Sequence, residues 1–233
     1  MSYELVISEP AYSSWSLRGW LALRLAEVPY ALRWTEIYGS PPLPDQIGLP
    51  PARTVPVLVC EGGAVVRDSL AIAEELAQRH PDAPLWPADP ALRGLARSLT
   101  AEMHSGFGAL RSACPMNLRQ AWQMEQPDDA IKADLTRLDA LFTDALSRSG
   151  GPWLAGGYSV ADAFYAPVCA RIVGYGLPVG STMQDYAAQN LAHPLFADWR
   201  RLAAEIGPDR HKSPDAPYWQ DLPKVDWTAL LAN

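Results

Sequence analysis

A chain of 233 residues with 48% hydrophobic and 19% charged residues has enough apolar surface for a sizeable core and too little charge for a disordered chain, which leaves one large domain or two modest ones. With 19 basic against 26 acidic residues the net charge is -7, and no basic patch interrupts it, so nucleic acid is not the expected partner. Cys60, Cys114 and Cys169 are odd in number and far apart, the pattern of free thiols in a reducing compartment. With Glu4 where a secretory signal needs positive charge, and no apolar run of membrane-spanning length, the expectation is a cytoplasmic protein without a membrane attachment.

The first apolar run, Leu5 to Ile7, reads as a strand. Ser13, Ser14 and Ser16 follow it, and then Trp15, Leu17, Trp20, Leu21, Leu23 and Leu25 recur at helical spacing up to Val28-Pro29. Tyr30 to Glu36 alternates as a second strand, completing a βαβ unit. Pro41, Pro42, Pro44, Pro50 and Pro51 then predict a loop free of helix and central strand. Val57 to Cys60 and Ala64 to Val66 flank Glu61-Gly62-Gly63 as a hairpin, and Asp68-Ser69 opens an amphipathic helix to about Arg79.

Pro81, Pro84, Pro87 and Pro90 punctuate a stretch without periodicity, which places a linker at 81–90 between a first domain, 1–80, and a second, 91–233. The second domain is predicted to be all α, with helices over Leu92 to about Trp122, Asp128 to Leu146, Ser159 to Val173 and Leu195 to Ile206. Its tail from Gly207, with Trp219 and Trp227, is expected to drape over the surface.

The sequence lacks a G-x-x-x-x-G-K phosphate loop, an H-E-x-x-H helix, a G-x-S-x-G elbow and paired C-x-x-C motifs. His80, His104, His193 and His211 are too scattered for a ligand set, so no metal is expected. Gly106-Phe107-Gly108 falls in a helical pattern and is expected to permit close helix packing.

Three features remain. The serines of Tyr12-Ser13-Ser14-Trp15-Ser16-Leu17-Arg18 read first as helix caps, but a helix N-terminus also stabilises an anion, and a hydroxyl there can donate to a thiolate. Val55-Pro56 precedes a strand, where a cis proline would leave the Val55 backbone to pair with an extended ligand. Asp68-Ser69 is either a simple cap or a receptor for an ammonium and a carboxylate.

These three motifs, with Asp68-Ser69-Leu70-Ala71-Ile72 extended and with Tyr158-Ser159-Val160-Ala161-Asp162-Ala163, stand in the order and at about the spacing of a soluble glutathione transferase, so that nearly the whole chain resembles that family, in particular its zeta-like and tau-like serine-type members. The resemblance implies an α/β thioredoxin-like N-terminal domain that binds glutathione, an all-α C-terminal domain with a hydrophobic substrate site, glutathione as cosubstrate, detoxification of small electrophiles and a homodimer. It makes Ser13 the activator of the glutathione thiol, with Ser14 a close second. Val55 and Pro56 would hold the cysteinyl backbone, and Asp68 and Ser69 the γ-glutamyl end. The family usually has Glu or Gln at Asp68. Trp15 stands where zeta-like isomerases carry a cysteine, which counts against a maleylacetoacetate isomerase. Ser159 with Asp162 resembles a capping box that serves folding.

The electrophile is expected between this turn and the first long helix of the second domain, where His104, Phe107 and Arg111 are spaced to share one face. Phe107 would meet an apolar group and Arg111 an anionic one; alternatively Phe107 is core and Arg111 an interdomain or dimer contact. Tyr12, Met103 and Tyr165 are further candidates. A glutathione-dependent isomerase and a noncatalytic binding protein stand as the alternatives to a transferase.

Overall fold

The computed structural model describes residues 3–37 and 39–205 together with Lys224–Val225. Strand β1 (Tyr3–Ser8) lies inside the four-stranded sheet. The strand order is β2-β1-β3-β4, with β2 (Tyr30–Thr35) parallel to β1, β3 (Val57–Val59) antiparallel to β1, and β4 (Val65–Arg67) antiparallel to β3. Leu5, Val6 and Ile7 are fully buried, so both faces of β1 are covered, and strand alternation divides them. Leu5 and Ile7 pack with Leu17, Trp20 and Leu21 of helix α1 (Ser14–Leu25) and with Ile72 and Leu76 of helix α3 (Ser69–Arg79). Val6 packs on the other side with Val55, Val57 and Ile47. The βαβ and ββα halves thus form as predicted, and Gly62 and Gly63, at φ 84 and 85, supply the positive dihedrals of the hairpin turn.

Ile47 belongs to a short helix, α2 (Leu43–Ile47), inside the proline-rich loop predicted to be free of helix. Pro42 sits at its cap and Pro44 in its first turn, where a missing amide hydrogen costs nothing because those amides have no partner in a helix.

The second half contains α4 (Pro90–Ser105), α5 (Gly108–Ala113), α6 (Asp129–Ser149), α7 (Val160–Gly174), α8 (Ser181–Ala192) and α9 (Pro194–Glu205). The single helix expected from Leu92 to Trp122 is broken at Gly106-Phe107. There Phe107 turns to φ 58, and a β-carbon at Gly106 would stand 2.8 Å from the Glu102 carbonyl oxygen. This glycine ends a helix rather than packing one. Ala121–Trp122 (β5) pairs antiparallel with Lys224–Val225 (β6), a two-residue ladder in a half expected to be all α. Helix α8 was not expected; no side-chain cap announces it, since Gly180 is its N-cap. Ile206 and the rest of the tail from Gly207, with His211, Trp219 and Trp227, lie outside the described residues, apart from the β6 pair.

Helix α7 is the axis of this half: it is buried along nearly its whole length and packs against α1, α4 and α8. Its capping box forms as expected. Ser159 donates its amide to Asp162 Oδ2 at 3.0 Å, and Leu154 N–H and Tyr186 O–H reach Oδ1 at 3.1 and 2.8 Å. The two halves are joined by buried polar contacts. Trp199 Nε1 donates to the Pro10 carbonyl at 2.8 Å and Arg18 Nε to that of Phe164 at 3.1 Å, and Val160 N–H reaches the Leu85 carbonyl of the connecting segment at 3.0 Å.

Candidate functional site

The strand β1 ends in a tight turn from which α1 departs, and the free amides of that helix start meet the serines. Ser13 is the N-cap: its Oγ accepts from Ser16 N–H at 3.2 Å and donates to Ser16 Oγ at 2.8 Å, and Ser16 Oγ in turn accepts from Ser8 N–H at 3.1 Å. Ser13 is buried, at 6% exposure, whereas Ser14, the first helical residue, is half-buried. Ser14 Oγ accepts a hydrogen bond from Arg171 Nη2 at 3.1 Å. The capping reading of Ser13 is therefore realised in the structure, and the second serine is held by an arginine from the other half of the chain.

Arg171 is one of three arginines here. Arg18 and Arg111 place their guanidinium carbons 4.6 and 4.8 Å from the Trp15 ring centroid, and the His104 ring meets Trp15 edge-on at 5.3 Å. Arg18 and Arg171 are 1% and 4% exposed. Burial, and then the neighbouring Arg171 and Arg111, push Arg18 down to about 9. Burial foremost lowers Arg171 to about 10. Among the described residues no carboxylate forms an ion pair with any of the three, and Arg18 Nη1 is buried without a partner. A positive field beside a helix N-terminus, offset only in part by Asp68, favours a bound anion.

The Val55–Pro56 peptide is cis, as expected, and both residues are buried, Pro56 against Gly19 of α1 and Val55 among Val6, Ile47 and Val57 on the other side of the sheet. Asp68, at φ 83, caps α3: its Oδ1 accepts from Leu70 N–H at 2.8 Å. Its Oδ2 lies 3.3 Å from His104 Nε2, so a residue of α4 reaches the first domain's candidate ligand site. The Ser69 hydroxyl is buried with no partner among the described residues, an orphaned donor beside the Asp68 carboxylate at the start of α3.

His104, Phe107 and Arg111 do not share one helical face, because the chain breaks between them. His104 and Arg111 nevertheless converge on Trp15, while Phe107 is 5% exposed and packs in the core. Met103 and Tyr165 are fully buried, and the Tyr165 hydroxyl is spent on the Leu99 carbonyl at 3.1 Å. Tyr12 is half-buried at the turn. Neither Arg171 nor a role for Arg18 is legible in the sequence motifs. The signal for Arg171 was a single charge in the apolar run Ala163 to Val173, where burial without a purpose is costly.

Residues 12–79 match the family described as Glutathione S-transferase, N-terminal domain, a span that takes in the Ser13-Ser14 turn, Val55-Pro56 and Asp68-Ser69. The chain is 28% identical over 172 residues to Glutathione S-transferase 1 of Dianthus caryophyllus, a match covering 70% of this chain and 75% of the carnation protein. It superposes with a TM-score of 0.66 on a glutathione transferase homolog from Burkholderia crystallised with bound glutathione, over 88% of this chain and 99% of that one at 21% identity. Residues 12–79 are thus similar to the glutathione S-transferase N-terminal domain, and most of the chain shares the fold of glutathione transferases. Other glutathione transferases share the fold. A Tau class enzyme from mango matches with a TM-score of 0.63 at 18% identity, over 87% of this chain and 96% of that one. A probable maleylacetoacetate isomerase of Caenorhabditis elegans is 35% identical over 99 residues, 42% of this chain; the matched stretch spans 45% of the worm protein, less than half its length.

Proposed function

We propose that this protein is a glutathione transferase that holds the thiolate of glutathione at the N-terminus of α1 for attack on a small hydrophobic electrophile. The observation that carries this reading is the meeting of the Ser13 and Ser14 hydroxyls, the start of α1 and three guanidiniums with which no described carboxylate forms an ion pair. A free thiol of pKa about 8.5 is only a few per cent ionised at neutral pH, and lowering it by about two is worth roughly 3 kcal/mol. A hydroxyl donor and a helix start can supply that much, and the arginine field adds to it. The protein's contribution is positioning and electrostatic stabilisation; the serine is not a nucleophile.

In this reading Val55 and Pro56 hold the cysteinyl backbone, and the orphaned Ser69 hydroxyl with Asp68 receives the γ-glutamyl end. The N-terminal unit, 1–80, binds glutathione; residues 91–233 complete the electrophile site, with His104, Arg111 and Tyr12 at its rim. A homodimer in the cytoplasm is part of the same reading.

A glutathione-dependent isomerase is the second reading. The likeness to the worm isomerase and the arginines, which suit a carboxylate, favour it, and Trp15 counts against it. The test is an ultraviolet titration of bound glutathione against pH. A thiol pKa clearly below that of free glutathione supports a thiolate-forming enzyme. Saturable binding without ionisation leaves a noncatalytic binder, and no binding ends the glutathione reading.

A further inference from the structure

We infer that Trp199 of α9 is a positioning residue for glutathione activation: its hydrogen bond to the Pro10 carbonyl holds the turn that aims the start of α1 at the bound thiolate. The inference rests on the thiolate reading above, makes no choice among the serine hydroxyls, and adds a residue more than 180 positions away in the chain.

The turn between β1 and α1 is closed on itself, with the Tyr12 and Ser13 amides both donating to the Glu9 carbonyl, at 3.1 and 2.9 Å. The two carbonyls that follow are bonded from the other half of the chain. Trp199 Nε1 donates to Pro10 at 2.8 Å, and the Leu118 amide to Ala11 at 2.9 Å. Pro10 is buried and Trp199 is fully buried, so a carbonyl left there without its donor is costly and the turn keeps the geometry that makes the bond. Asp198, beside Trp199, pairs with Arg24 in the last turn of α1 at 3.0 Å, so α9 is tied to α1 near its end and to the chain just before its start. The field of a helix N-terminus acts within its first turn, so a small shift of that start changes what it offers a bound thiolate. Trp199 has no exposed surface with which to touch a ligand, and it acts through the turn. The same core supplies a comparison. Trp20 of α1 lies against Trp199, ring centroids 5.2 Å apart, and is buried to the same degree, yet its Nε1 has no partner among the described residues. The two indoles share their packing, and Trp199 alone of the pair carries the bond to the turn.

The experiment measures the pKa of the bound glutathione thiol by ultraviolet absorbance, at saturating glutathione, for the full chain and for Trp199→Phe and Trp20→Phe. Each variant keeps an aromatic ring and removes an indole N–H, but only Trp199→Phe removes a hydrogen bond. The expected result is a rise of about one in the bound thiol pKa for Trp199→Phe, about tenfold less thiolate at a pH below it, and a change of no more than a few tenths for Trp20→Phe. A role in folding alone would lower the urea midpoints of both variants and leave the thiol pKa of the folded, saturated protein where it was. If Trp199→Phe does not fold, Trp199→benzothienylalanine, which keeps the bicyclic ring and puts sulfur in place of the N–H, carries the same comparison. A wild type that lowers the thiol pKa and a Trp199 variant that lowers it equally overturn this inference while the thiolate reading stands. Equal rises for Trp199→Phe and Trp20→Phe overturn it too, since packing and not the bond would then hold the turn. A wild type that does not lower the thiol pKa overturns this inference and the thiolate reading together.

Discussion

Gly19 of α1 and Pro56 ahead of β3 are packed backbone against ring: a β-carbon at Gly19 would stand 2.8 Å from Pro56 Cγ and 3.0 Å from its Cβ. Only a glycine lets the helix that carries the serine turn lie this close to the segment that carries Val55. Gly19→Ala is expected to force the two apart at a cost of about 1 to 3 kcal/mol and to weaken glutathione binding. Urea unfolding and calorimetric titration with glutathione check it; an unchanged midpoint would mean the proline yields freely.

Asp162 is a buried carboxylate whose pKa burial raises to about 6, against the hydrogen bonds of Leu154, Tyr186 and Ser159, which lower it. The folded value lies above the unfolded one of about 3.9, so the native state binds the extra proton between pH 4 and 6. Stability from this group is therefore largest below about pH 4 and is lost as pH rises through about 6. Compared with Asp162→Asn, which does not titrate, the wild type should lose roughly 3 kcal/mol of relative stability across that window. Denaturant midpoints of both proteins at pH 4 and pH 7 measure the difference, and a gap independent of pH would contradict it.

Asp68 does two things at once, capping α3 through Oδ1 and facing His104 through Oδ2. Asp68→Ala is expected to cost about 1 kcal/mol as a lost cap and to raise the glutathione dissociation constant. Asp68→Asn keeps a capping oxygen and loses the charge. It should recover most of the stability and little of the affinity, a split that calorimetry beside thermal unfolding resolves.

Trp15 is flanked by two guanidiniums, one from α1 and one from α5. Trp15→Leu removes both contacts and is expected to destabilise the protein by about 2 kcal/mol, two partly desolvated cation–π interactions at about 1 each. Equilibrium unfolding in urea reads it directly, and a change within a few tenths of a kcal/mol would mean the arginines find equal partners without the ring.

The sequence by itself determined the strands and helices whose apolar periodicity is strong: Leu5 to Ile7, the stripe from Trp15 to Leu25, the Gly62-Gly63 hairpin, and the capped helices after Asp68, Asp128 and Ser159. Each is written in local spacing, turn chemistry or a cap, which act over a few residues. It also determined the family likeness, because the Ser13-Ser14 turn, Val55-Pro56 and Asp68-Ser69 are short contiguous motifs. Helix α8 and the break at Gly106-Phe107 were not legible, since the first has no side-chain cap and the second lies inside an unbroken apolar pattern. Only the tertiary structure decided the chemistry around the turn. Arg171 is 157 residues from Ser14 in the chain, and Arg18 reaches the backbone of Phe164 over a separation of 146. No local pattern encodes such pairs. They arise when burial of α7 against α1 brings charges and backbone carbonyls together in a medium of low dielectric, where an unmatched polar group is costly.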